Sequence, residues 1–218
     1  MRIEQIRHSA ILLFALGLIL ASCSPFGAGT QRQTNYYVLN SLHSEPASVQ
    51  TVADLPNIGI GVGPIQMPLY LDRSDIVTRD SLNQVDIVDF SQWAGPLQEN
   101  FSRVLAENLS VLLATDKVGI FPFVRRDSID YNVSVYVTRF DGMPGDKAHL
   151  RARWSILDSR RKQSYYEKHT IVSQPTQDGT TAALVAAESA AIGVLSREIA
   201  RAIEAVSINH PPVNKDKK

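Results

Sequence analysis

The run Tyr131-Asn132-Val133-Ser134-Val135-Tyr136-Val137-Thr138-Arg139-Phe140, with Asp141-Gly142-Met143-Pro144-Gly145-Asp146 and Leu150-Arg151-Ala152-Arg153-Trp154-Ser155-Ile156-Leu157 after it, decides the fold. Tyr131, Val133, Val135 and Val137 alternate with Asn132, Ser134 and Thr138, the period of two that places apolar side chains on one face of a strand. The glycines and proline of 141–146 predict a hairpin loop. Asp158 to Gln163 then turns the chain into a third run, Tyr165 to Val172. Three strands with tight connections form an antiparallel meander.

Working outward, the segment from about Thr180 to Val206 places Leu184, Ile192, Leu195, Ile199 and Ile203 along one helical stripe. Its many alanines allow close packing on a sheet. On the N-terminal side, Gly95-Pro96 opens a second helix, with Leu97, Phe101, Val104, Leu105, Leu109 and Leu112 at spacings of three and four. Short β-like runs precede it: Tyr36 to Leu39, Ile58 to Gly63, and Ile76 to Thr78 and Val85 to Val88 as a hairpin around Asp80 to Asn83. Val118 to Phe121 adds another short run. The predicted class is α/β: a single mixed β-sheet, largely antiparallel in its C-terminal meander, packed with two long α-helices.

The first residues carry a different message. Arg2 and Arg7 precede an apolar run from Ala10 to Ala21, too short for a good membrane-spanning helix, that ends in Leu20-Ala21-Ser22-Cys23. A basic head, a short apolar core and small residues before the cut predict an export signal over 1–22. The box at its end resembles that of bacterial lipoprotein signals, in which the cysteine thiol receives a diacylglycerol before cleavage. The resemblance implies that Cys23 becomes the first residue, bearing diacylglycerol and an N-acyl chain, and anchors the chain to a membrane. Each buried methylene contributes about 0.8 kcal/mol, so two or three acyl chains hold where one would not. Cys23 is the only cysteine, and lipidation leaves no thiol for a disulfide.

Removing 22 residues from 218 leaves 196, a length suited to one domain with a sizeable core. The boundaries read as 23–35 for the lipidated N-terminus and a Gly/Ser/Thr/Gln-rich tether, 36–208 for the domain, and 209–218 for a polar, proline-bearing tail expected to be disordered. The full chain has 22 basic and 22 acidic residues. That balance argues against a nucleic-acid partner, and Arg160-Arg161-Lys162 reads as a solvated turn between strands.

Catalytic constellations are missing from the sequence. His43, His149, His169 and His210 stand apart, with no HExxH spacing, and no metal site or cofactor is expected. No G-x-S-x-G elbow is present. Gly59-Ile60-Gly61-Val62-Gly63-Pro64 lacks both the Rossmann and the P-loop spacing, and its small residues are expected to admit a helix close above a strand. Asp72, Asp75, Asp80, Asp86 and Asp89 lack the calcium-loop pattern.

Val62-Gly63-Pro64-Ile65-Gln66-Met67-Pro68, Tyr70-Leu71-Asp72-Arg73, Ile76-Val77-Thr78-Arg79 and Trp93-Ala94 with Pro96-Leu97 are similar, in order and spacing, to the ABC-transport auxiliary lipoproteins. The likeness extends over the whole mature domain. It implies a non-enzymatic, lipid-anchored subunit of an MCE-type trans-envelope lipid transport system, at the periplasmic face of the outer membrane. Ser24, where an aspartate typically retains such proteins in the inner membrane, fits that sorting. The implied partners are a periplasm-spanning MCE-domain protein and its inner-membrane component, with homo-oligomerisation left open. One departure is visible: the family often has Arg-Trp-Ala-Glu-Pro-Leu where this chain has Gln92-Trp93-Ala94-Gly95-Pro96-Leu97. Tyr70, Asp72, Arg73 and Trp93 are the candidate partner-binding residues, since aromatics and arginine favour interface anchoring. Trp93 reads first as a core aromatic beside a helix start, with the contact surface as the functional alternative. Two other roles stay open, a periplasmic lipid-binding module and a scaffold for another envelope complex.

Overall fold

The computed structural model describes residues 32–42, 50–125, 128–158 and 163–212. In chain order the elements are β1 (Asn35–Tyr37), β2 (Ile60–Gln66), β3 (Asp75–Thr78), β4 (Asp86–Trp93), α1 (Leu97–Leu112), β5 (Val118–Ile120), β6 (Tyr131–Gly142), β7 (Lys147–Asp158), β8 (Ser164–Pro175) and α2 (Thr181–Asn209). The expected signal, Cys23 and the tether to residue 31, and the turn at 159–162, lie outside the described residues.

β6 organises the eight-stranded sheet. Along one edge it pairs antiparallel with β7, which pairs antiparallel with β8, as the period-two pattern requires. Its other edge is divided. Tyr131 to Tyr136 pair in parallel with β2, which carries β5 in parallel, while Gly142 pairs in parallel with Thr78 of β3. Beyond β3 come β4, antiparallel, and β1, parallel. The sheet is therefore mixed, with its long antiparallel part at the C-terminal end of the chain.

A bulge decides which side chains face inward. Tyr131, Val133, Val135 and Val137 are buried, but the β6–β7 register shifts between Val137 and Arg139, so that Phe140 is the next inward residue. Opposite them, Ala148, Leu150, Ala152, Trp154 and Ile156 line the inner face of β7. Both helices pack there, α2 over β6–β8 and α1 over β2 and β5, and against each other. Phe101 of α1 meets Phe140 edge to face at 5.4 Å. Each such large apolar side chain contributes about 1.5–3 kcal/mol on burial.

Polar bonds inside the core fix how the layers sit. Asn108 of α1 is fully buried; its Nδ2 donates to Ser196 Oγ of α2 at 3.0 Å, and its Oδ1 accepts from the Leu42 N–H at 2.7 Å. Trp154 Nε1 donates to Thr170 Oγ1 at 2.9 Å, and that hydroxyl donates to Glu198 of α2 at 2.6 Å. Thr180 caps α2, accepting from the Ala183 N–H at 3.1 Å.

Three expectations need correction. The glycines of β2 do not make room for a helix: Ile60 and Val62 face the core, and the alternate residues face the opposite side, where the β5–β6 connection crosses. A Cβ on Gly61 would come within 2.7 Å of the Phe123 ring, and Gly63 has a φ of 113°, a conformation only glycine adopts without strain. The domain also extends past its expected ends. β1 opens at Asn35, inside the expected tether, and Asn209 closes α2 while His210 stacks on Tyr165 at 4.6 Å. Finally, β4 runs on to Trp93 rather than stopping at Val88.

Candidate functional site

The hairpin β3–β4 and the chain between β2 and β3 converge on the start of α1. After β2, Met67-Pro68 leads into a 3-10 turn over Leu69–Leu71, closed by the Leu71 N–H donating to Pro68 O at 3.0 Å and the Asp72 N–H to Leu69 O at 3.1 Å. At the other side, the Trp93 N–H donates to Ser74 O at 2.7 Å and the Ala94 N–H to Tyr37 O at 2.9 Å. These bonds hold Trp93 and the Gly95-Pro96 entry to α1 beside the turn.

Between them lies a surface groove of about 450 Å³, lined by Met67, Leu69, Leu71, Asp72, Arg73 and Ser74 on one wall and by Trp93 to Gln98 on the other. Its floor is apolar: Leu71, Trp93 and Leu97 are buried and belong to the core. Leu69 stands at the rim almost fully exposed, at 87%. Asp72 and Arg73 are exposed beside it. The groove thus presents an apolar slot with one charge of each sign at its lip, a form suited to seating an apolar side chain of a partner. Position 95, where the resemblance would place a glutamate, opens into free space, since a Cβ there would meet no atom within 4 Å. Gln92 donates instead to Asp75 Oδ1 at 3.0 Å, across the β3–β4 pair.

Three of the four candidate residues, Asp72, Arg73 and Trp93, therefore share one groove. Trp93 is only 5% exposed, so it serves the core and the groove floor at once. Tyr70 points elsewhere. Its hydroxyl donates to Asp141 Oδ2 at 2.8 Å, and Arg79, whose guanidinium carbon is 5.3 Å from the Tyr70 ring centre, donates to the same oxygen at 3.0 Å. Arg139 donates to Asp141 Oδ1 at 2.7 Å. Burial, then the bond to Asp141 and its charge, push the Tyr70 hydroxyl up to about 12, so it remains a donor. Arg79 loses hydration on burial, but its bonds to Asp141 and Tyr70 outweigh that and raise its affinity for the proton.

Sequence reasoning missed Asp141, Arg79 and Arg139, which brace the turn, and Met67, Leu71 and Leu97, which shape the groove. The spacing of Met67, Leu69 and Leu71 was the available signal for the latter. Asp141 had none, because an aspartate before Gly142 reads as turn chemistry. Among the described residues no group of three or more His, Cys, Asp and Glu side chains gathers as a metal site. No described helix is long and apolar enough to cross a membrane.

Comparison with known proteins places this architecture. The intermembrane transport lipoprotein PqiC of Escherichia coli K12 is 27% identical over 168 residues, covering 77% of this chain and 83% of that protein. The crystal structure of protein XCC0632 from Xanthomonas campestris superposes with a TM-score of 0.63 at 16% identity, over 80% of this chain and 98% of that one. A second crystal structure, of an uncharacterized protein, superposes at 0.64 with 20% identity, over 78% of this chain and 99% of its own. Both share the fold. The family model of the ABC-type transport auxiliary lipoprotein component matches residues 37–200, from the end of β1 through most of α2, and the chain belongs to that family.

Proposed function

We propose that this lipoprotein is a non-enzymatic subunit of a trans-envelope lipid transport system of the MCE type, and that it docks the periplasm-spanning MCE-domain component at the outer membrane. The family match over residues 37–200 carries the reading. Diacylglycerol and an N-acyl chain on Cys23 hold the chain at the periplasmic face of the outer membrane, and the domain supplies a surface. The groove under Arg73 and Trp93 is the docking point: its apolar floor takes an apolar side chain of the MCE protein, and Arg73 and Asp72 orient it. Such a role needs shape and fixed position, and no reacting group.

The experiment is in vivo cross-linking of the full chain, purification through a C-terminal tag from separated inner and outer membranes, and identification of what co-purifies, against a Cys23→Ala control. An MCE-domain partner in the outer-membrane fraction, lost or mislocalised in the control, is the expected result. Recovery of an unrelated envelope complex would reject the docking role in favour of a scaffold. Recovery of the protein alone with a bound lipid would make it a lipid-binding module.

A further inference from the structure

The helices cover one face of the sheet, and among the described residues no element packs over the opposite face of β6–β8. There the strand register sets Tyr136 of β6 beside Arg153 of β7, and Arg151 of β7 beside Ile171 of β8. Tyr136 is 52% exposed and Ile171 61%. On the same side of the sheet the β5–β6 connection lies over Gly61 and Gly119 through the Phe123 ring. It turns Phe121 and a fully exposed Val124 (100%) outward. The other ionisable groups of the open face are Glu167 and His169 on β8, Lys147 and His149 on β7, and Arg139, which is committed to Asp141.

We propose that this open face, with the outward side chains of the β5–β6 connection, rests on the surface of an anionic lipid bilayer. Three observations choose that occupant. The apolar side chains are spaced singly with arginines between them, so they form no continuous dry patch of the kind a protein interface has at its core. In a bilayer headgroup layer each finds apolar surroundings by itself while the neighbouring arginines meet phosphate. Lys147, Arg151 and Arg153 against the single exposed Glu167 give the face a positive balance complementary to anionic lipid. From Cys23 to Thr34 is a span of eleven residues, which reaches about 40 Å at most. That is about the length of β6 itself, so a chain anchored at Cys23 keeps this face at high local concentration over the membrane, and weak contact is enough. The inference rests on the Cys23 anchor of the proposed function, and not on the identity of the partner.

The test uses the mature lipidated chain. Acylation consumes the only cysteine, so Ile171→Cys carries the sole free thiol, as does Ala190→Cys, an exposed position on α2. Each is labelled with an environment-sensitive nitrobenzoxadiazole probe in vesicles of phosphatidylethanolamine with phosphatidylglycerol. The label at 171 is expected to shift to the blue, and iodide quenching to fall several-fold relative to the label at 190. Charge reversal of Arg151 and Arg153 to Glu should abolish the difference. Equal quenching at both sites overturns the proposal. A blue shift that disappears on diluting protein in excess lipid overturns it too, and identifies a second copy or other protein as the occupant. The mass of the Cys23 peptide reports the anchor separately. If that peptide is not acylated, the probe at 171 in a Cys23→Ala background, titrated with the same vesicles, reads the face alone, and no shift at any lipid concentration rejects it.

Discussion

The Tyr70 hydroxyl donates to Asp141 at 2.8 Å, joining the 3-10 turn that walls the groove to the far end of β6, 71 residues away in sequence. Asp141 is wholly buried and receives Arg79 and Arg139 as well, so its carboxylate is fully engaged and its two arginines are partly desolvated. Tyr70→Phe removes one donor and leaves the ion pairs. The expected cost is about 1–2 kcal/mol in a urea melt, the range for a hydrogen bond to a charged group. Because the folded chain keeps the Tyr70 proton to about 12 while an unfolded tyrosine loses it near 10, this contribution is whole below about pH 10 and is lost as the pH rises toward 12. Alkaline titration of phenolate absorbance in wild type and Tyr70→Phe checks both statements.

Arg73 and Trp93 separate binding from folding. Arg73→Glu alters an exposed rim and should change stability by no more than about 0.5 kcal/mol while strongly reducing recovery of the cross-linked partner. Trp93→Ala empties a buried position and should cost about 3–5 kcal/mol, so its effect on recovery follows the loss of folded protein. Undiminished recovery with Arg73→Glu would remove the groove from the docking reading.

Glu188 is buried on α2, its Oε2 has no hydrogen-bond partner, and burial, with Asp141 nearby, raises its pKa well above the ordinary value. The folded chain therefore holds this proton more tightly than the unfolded chain, and stability falls as pH rises above the unfolded value. Glu188→Leu is expected to gain about 1–3 kcal/mol at neutral pH. The gain should shrink as the pH falls below the unfolded glutamate value of about 4.3. Urea melts of both proteins across this window read the sign directly.

Thr170 links three elements. Burial alone would raise Glu198, but bonds from Thr170 and Lys168 and the charges of Lys168 and Arg201 outweigh it and hold that carboxyl below its usual range. Thr170→Val keeps the volume and strands the Trp154 N–H in the core, at a cost of about 1–3 kcal/mol. Glu198 should then titrate higher. Its depressed value contributes stability above the unfolded carboxyl range that is lost as pH falls through the folded value. Carboxyl NMR titration of Glu198 in the variant measures the change.

The meander and both helices were legible because Tyr131 to Val137 and Leu97 to Leu112 carry unbroken local periods. The parallel pairings of β2 were not, since a crossover is chosen by the helix packed above it and leaves no local mark. Phe140 shows the same limit on a smaller scale: the bulge at Thr138 reverses inward and outward, and only the register with β7 reveals it. Arg73 and Trp93 were readable as interface types. Tyr70 carried the same chemistry but was claimed by Asp141, a partner distant in sequence.

The division of the outer edge of β6 has a mechanical meaning. β3, β4 and β1 join the rest of the sheet through the single pair Thr78–Gly142, next to the Asp141 carboxylate, whereas β6, β7 and β8 are zipped along twelve-residue strands. A conduit pulling on the groove would load that one seam of the sheet first. If the groove holds a conduit as proposed, its grip is joined to the sheet by that one short seam, and the meander behind it by pairings twelve residues long.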